Sequence, residues 1–141
     1  MKLFVCVLLL VLALDGAFAV KCTGTSVDKG TGTYSTRYDN VDVDAILNSS
    51  RLLKQYVDCV LDRGSCTQEG CFLKEVIPDA LGSDCSKCNE KQKKIAGKIL
   101  GYLLQYHRKD YWPDLISRFD KDGNLRKKYE FEEDDEERRR R

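Results

Sequence analysis

Residues 49–66, SSRLLKQYVDCVLDRGSC, decide the fold. Leu52, Leu53, Tyr56, Val57, Val60 and Leu61 fall at i, i+1, i+4, i+5, i+8 and i+9. That spacing gathers six apolar side chains on one broad face of an α-helix. Ser49 or Ser50 can cap its start by accepting from a first-turn N–H, and Gly64 can end it in the left-handed conformation. Cys59 and Cys66 stand on either side of that end, so a bond between them would fold the chain back across it.

The same period recurs downstream. Phe72, Leu73, Val76, Ile77, Ala80 and Leu81 repeat it, with Pro78 expected to kink or divide the segment. A third stripe joins Ile95, Ile99, Tyr102, Leu103 and Tyr106. Shorter helices are expected at 42–47, at 113–119 with Pro113 in the first turn, and around 125–129. Alternation of period two is nowhere sustained. The reading is an all-α protein of about six helices.

Both ends are set apart from this body. Lys2, the apolar run from Leu3 to Leu14 and the small residues around Ala17-Phe18-Ala19 form the pattern of a secretory signal, residues 1–19. The apolar run is too short to span a bilayer, which takes about 20 residues. Residues 20–33, rich in Gly, Thr and Ser, are expected to be a flexible N-terminal arm. Residues 130–141 combine seven acids with four terminal arginines, a composition that buries nothing and is expected to be disordered. The formal charge of +1 therefore hides a body, residues 20–129, with 19 basic and 15 acidic residues. Such a modest excess excludes a protein built to grip nucleic acid. The folded domain is placed at 34–129.

Cleavage after Ala19 would remove Cys6 and leave six cysteines in an oxidising compartment. Cys85 and Cys88, three apart, could close a small loop at the start of the long helix. Cys22 and Cys71 remain, and joining them would tie the arm to the third helix; left unpaired, either could link two chains. Cys66-x4-Cys71 with Cys85-x2-Cys88 has passable zinc spacing, but thiols pair on a secretory route, and no metal is assigned. Cys85-x2-Cys88 also lacks the βαβ setting of a redox pair.

The spacing Cys59-x6-Cys66-x18-Cys85-x2-Cys88 resembles the four-cysteine signature of the insect chemosensory proteins, the OS-D or A10-like family. The surrounding words resemble it too: Tyr34-Ser-Thr-Arg-Tyr-Asp-Asn-Val-Asp-Val-Asp, Arg51-Leu-Leu with Tyr56-Val57 and Cys59, Pro78-Asp-Ala-Leu, Asp84-Cys-Ser-Lys-Cys, Trp112, Phe119-Asp120, and Arg126-Lys-Lys-Tyr129. The resemblance implies a compact six-helix fold around an apolar channel. It also implies disulfides Cys59–Cys66 and Cys85–Cys88, secretion, no enzymatic activity and no cofactor. Its implied partners are small hydrophobic ligands such as long-chain fatty acids, esters or alcohols, carried by a monomer. Cys22 and Cys71 lie outside the signature.

Large aromatics with a polar tip suit the edge of a cavity, and Tyr38, Tyr56, Tyr102 and Tyr106 are candidates. The expected lining is Val41, Ile46, Leu47, Leu53, Tyr56, Val60, Leu73, Val76, Ile77, Ile95, Ile99 and Leu103, with Tyr38 and Trp112 nearer a mouth. The competing reading makes the chain an extracellular interaction or developmental factor that acts through a protein partner. Catalysis has little support, because a single histidine, His107, supplies neither a conventional triad nor a multi-histidine metal site. Asp120-Lys-Asp-Gly-Asn carries its glycine too early for a calcium loop. Lysines and glutamine beside Gly97-x3-Gly101 exclude a membrane packing motif, and no membrane span is expected.

Overall fold

In the computed structural model, residues 21–22, 26–127 and 139–140 are described. The signal segment 1–19 and most of the charged tail lie outside them. Five helices run from residue 43 to 119: α1 Val43–Leu47, α2 Ser50–Val60, α3 Gln68–Gly82, α4 Glu90–Tyr106 and α5 Trp112–Phe119. Residues 124–127 are helical as well and make a sixth segment. Extended pairing among the described residues is confined to one antiparallel bridge, Val27 to Tyr34.

Each of the first four helices starts where a polar side chain closes an open backbone N–H. Asp42 accepts from Ala45 N at 3.0 Å, Ser49 from Leu52 N at 3.3 Å, and Thr67 from Gly70 N at 3.1 Å. Asn89 accepts from Gln92 N at 2.8 Å while the Gln92 side chain accepts from Asn89 N at 3.1 Å, a reciprocal capping box. Pro113 sits in the first turn of α5, where its missing N–H costs nothing.

Two local expectations, on Gly64 and on division at Pro78, are corrected, and the small loop expected of Cys85 and Cys88 is found. The left-handed residue after α2 is Asp62, at φ 60°, and Gly64 is not among the positive-φ residues. Gly64 instead permits close approach, since a Cβ there would stand 3.2 Å from Asp58 Cβ. Pro78 does not divide the second apolar stripe, for α3 runs through it to Gly82. Cys85 and Cys88 precede α4 and close the turn before it, with Asp84 and Cys85 both at positive φ.

The core is gathered around α2. Leu47, Leu53, Val57, Leu61 and Leu103 form one buried cluster, and Val43, Ile99, Tyr102, Tyr111 and Leu115 pack on its flanks. The closely packed helix pairs are α2 with α3, α1 with α2, α1 with α4, and α3 with α5. The hairpin partners α3 and α4 are not among them.

All six body cysteines are paired: Cys59–Cys66, Cys85–Cys88 and Cys22–Cys71. Cys22 and Cys71 thus bond within the chain, which removes both from an interchain link and leaves no thiolate set for zinc. The third bond also changes the picture of the arm. Ser26 Oγ donates to Glu75 Oε2 at 2.5 Å, and Asp28 N to Thr33 O at 2.8 Å. Gly32, at φ 68°, supplies the left-handed turn that lets Val27 meet Tyr34. Glycine and threonine read as flexibility in sequence, but here they build a hairpin that a disulfide fastens to α3.

Candidate ligand-binding site

An amphipathic helix normally loses its apolar face to a neighbour, and α2 does so: Leu53, Val57, Cys59 and Val60 are buried. On α3 the buried residues are Gly70 and Cys71 alone. Phe72, Leu73, Val76, Ile77, Ala80 and Leu81, the whole apolar stripe, stay half-buried. On α4 Leu103 is buried, while Ile95, Ile99, Leu100, Tyr102 and Leu104 are half-buried. Two long helices joined by the Cys85–Cys88 turn therefore carry apolar faces that the protein covers only in part.

The expected lining residues divide between this region and the core. Leu47, Leu53 and Leu103 belong to the closed cluster, with Ile99 packed on it, so their surface is consumed by folding. Val60 is 2% exposed and equally spent. Tyr38, Val41, Ile46, Tyr56, Leu73, Val76, Ile77 and Ile95 are half-buried. Tyr38 meets Phe72 of α3 with ring centroids 5.1 Å apart, which ties the start of the chain to that stripe. Tyr106 is 60% exposed, and its ring lies 4.8 Å from that of Tyr102.

A cleft of about 480 Å³ opens beside Trp112, Pro113 and Ile116 on α5, with Asp120, Lys121 and Arg126 at its polar side. Of the expected residues, Trp112 lines it. The sequence reading noted Asp120 but gave it no role in the site, and it is buried beside this cleft. Its carboxylate accepts from Leu125 N and Arg126 N, both at 3.0 Å, and from Arg126 Nε at 3.3 Å. Burial alone would raise its pKa, but the two backbone donors and the guanidinium outweigh burial and hold it below the usual carboxylate range. The residues dismissed as a calcium loop are thus a cap for the sixth helical segment. The signal available in sequence was an Asp ahead of Gly-Asn-Leu-Arg, a pattern for a turn and helix start.

A second polar knot fixes the other end. Tyr34 is 3% exposed, and its hydroxyl donates to Asp79 Oδ2, which Lys87 Nζ also approaches at 3.0 Å. Burial, the bond to Asp79 and that carboxylate's charge together push the phenol well above its ordinary range. The donated bonds hold Asp79 below its own. His107 ends α4, its N–H donating to Leu103 O at 2.9 Å, and its ring stacks on Tyr111 at 4.9 Å. That is a structural post at a helix terminus. The one group of described residues with metal-ligand spacing is the sulfur trio of Cys22, Cys66 and Cys71, all engaged in disulfides.

Taken from the residues upward, this is a small disulfide-stapled helical protein with more apolar surface on its helices than its core consumes. The chain belongs to the insect pheromone-binding family, A10/OS-D, whose pattern it matches over residues 34–127. It is 42% identical over 111 residues to Allergen Tha p 1 of Thaumetopoea pityocampa, covering 79% of this chain and 87% of that one. It is 44% identical over 96 residues to Ejaculatory bulb-specific protein 3 of Drosophila melanogaster, covering 68% and 75%. A solved chemosensory protein in complex with bromo-dodecanol superposes with a TM-score of 0.66 at 42% identity, covering 71% of this chain and 99% of that one. The family is one of binding proteins. No helix among the described residues is long and apolar enough to cross a membrane.

Proposed function

We propose that this protein is a secreted carrier of small hydrophobic molecules, such as long-chain fatty acids, esters or alcohols, held against α3 and α4. The observation that carries the reading is that the apolar stripe of α3, from Phe72 to Leu81, and the apolar residues of α4 both stay half-buried. An alkyl chain completes the burial that the protein leaves undone. The complex of a related chemosensory protein with bromo-dodecanol supports that class of ligand. Burying about 12 methylenes at ~0.8 kcal/mol each contributes on the order of 10 kcal/mol before ordering costs, which lower the affinity to roughly micromolar. The cleft at Trp112 serves as the mouth, with Lys121 and Arg126 beside the polar end of the ligand. Secretion follows from the pattern of residues 1–19 and agrees with three paired disulfides.

Displacement of a fluorescent fatty-acid probe by dodecanol and by C12–C18 acids tests the reading. Displacement at micromolar concentration is expected, unchanged on deletion of residues 130–141. Failure of every long-chain competitor at saturation overturns it, and a function lost with the tail at unchanged ligand affinity favours a protein partner instead.

A further inference from the structure

Cys22 and Cys71 bring a second disulfide against one that the family signature already supplies. The Sγ atoms of Cys22, Cys66 and Cys71 all lie within 4.8 Å of one another. They belong to two bonds, Cys22–Cys71 and Cys59–Cys66, so the bonds sit sulfur against sulfur with Cys66 as the near member of the second. Gly70 makes room for the Cys59–Cys66 bond: a Cβ there would stand 3.0 Å from Cys59 Sγ and 3.8 Å from Cys66 Cβ. Access is graded across the cluster. Cys22 and Cys66 are half-buried, whereas Cys71 is 8% and Cys59 2% exposed.

We propose that this cluster is a thiol-modification site, which captures a small monothiol at Cys22 and passes the freed thiol to Cys59. Disulfides exchange by attack of a thiolate on one sulfur with departure of the other. The external thiolate attacks Cys22 Sγ, the accessible sulfur of its bond; a mixed disulfide forms, Cys22–Cys71 breaks, and the electron pair leaves on Cys71. The Cys71 thiolate then attacks Cys66 Sγ, which is within 4.8 Å. The Cys66–Cys71 bond forms, Cys59–Cys66 breaks, and the electron pair leaves on Cys59. Cys59 takes up the proton that the monothiol lost, and its burial favours that neutral form. Two sulfur–sulfur bonds are consumed and two are made, so the monothiol is the sole co-reactant. The product releases the end of α2 from the turn that Cys66 anchors.

The test incubates the intact wild-type protein with glutathione as the monothiol, quenches in acid, alkylates under mildly acidic denaturing conditions and maps the cysteines by mass. The expected product carries glutathione on Cys22, the alkyl group on Cys59 and a Cys66–Cys71 bond. The Cys22→Ser chain provides a second reading without added thiol, because Cys71 then carries a thiol from the start. It should show the same Cys66–Cys71 bond and an alkylated Cys59. An alkylated Cys71 beside an intact Cys59–Cys66 bond in either experiment overturns the proposal. So does capture confined to Cys85 or Cys88 with nothing on Cys22.

Discussion

Replacing Gly70 by alanine should destabilise the protein, although the same change on an open helix face stabilises one. Gly70 is buried in the first turn of α3. An added Cβ there would meet Cys59 Sγ at 3.0 Å and Thr67 Oγ1 at 3.4 Å. The sulfur is held by its bond to Cys66 and the hydroxyl by its cap to Gly70 N, so neither swings aside freely. Overpacking of this kind costs about 2 kcal/mol, and the helix-propensity gain of alanine over glycine returns about 1 kcal/mol at most. The net expectation is a loss of about 1 kcal/mol. Gly97 on α4 is the control: a Cβ there meets nothing within 4 Å, so Gly97→Ala should gain about 1 kcal/mol. In a domain of this size each kcal/mol moves the midpoint by about 4–8 °C, so the two variants should melt on opposite sides of wild type. Calorimetry or urea unfolding with all disulfides intact measures the gap. A Gly70→Ala protein as stable as Gly97→Ala would refute the reasoning, because it would mean that the sulfur yields without cost.

Core and ligand face should separate under truncation. Leu53→Ala should cost about 2–5 kcal/mol of stability in urea unfolding, whereas Leu73→Ala should cost less than half that and weaken fatty-acid probe binding several-fold. Asp120→Asn removes an ionised acceptor from three donors and should cost about 1.5–3 kcal/mol at neutral pH. Because the folded pKa of Asp120 lies below its unfolded value near ~3.9, its contribution is complete above that value and is lost as pH falls through the folded one. An acid titration of stability should therefore be shallower in Asp120→Asn than in wild type. Tyr34 has the opposite sign: its raised pKa stabilises fully below the unfolded value near ~10 and fades as pH climbs toward the folded one. Alkaline unfolding of Tyr34→Phe should lack that component, and the variant should be about 1 kcal/mol less stable at neutral pH through loss of the bond to Asp79.

Several features of the fold were legible because they are local. Helix period, the cap at Ser49 and Pro113 in a first turn depend on residues within one or two turns of each other. That the helix continues through Pro78 was not legible, because a proline's cost can be offset by packing that no window of sequence contains. What ties the arm down was not legible for a related reason: Ser26 reaches Glu75 and Cys22 reaches Cys71, each 49 residues away. Asp120 was noted without its role, because that role lies in burial, and burial is a property of the assembled fold.

By itself the sequence determined an all-α chain, its helices, its family and the cysteines that staple it, since periodicity and spacing are written along one dimension. It did not determine which apolar residues are spent and which remain available. Leu53 and Leu73 occupy equivalent places in their stripes, yet Leu53 is sealed in the core and Leu73 is half-covered. The helices pack unevenly: α2 lies between α1 and α3, whereas α3 and α4 are joined by a turn without packing closely along each other. Surface left over after folding is what a ligand can use, and only the tertiary arrangement of the helices decides where it lies.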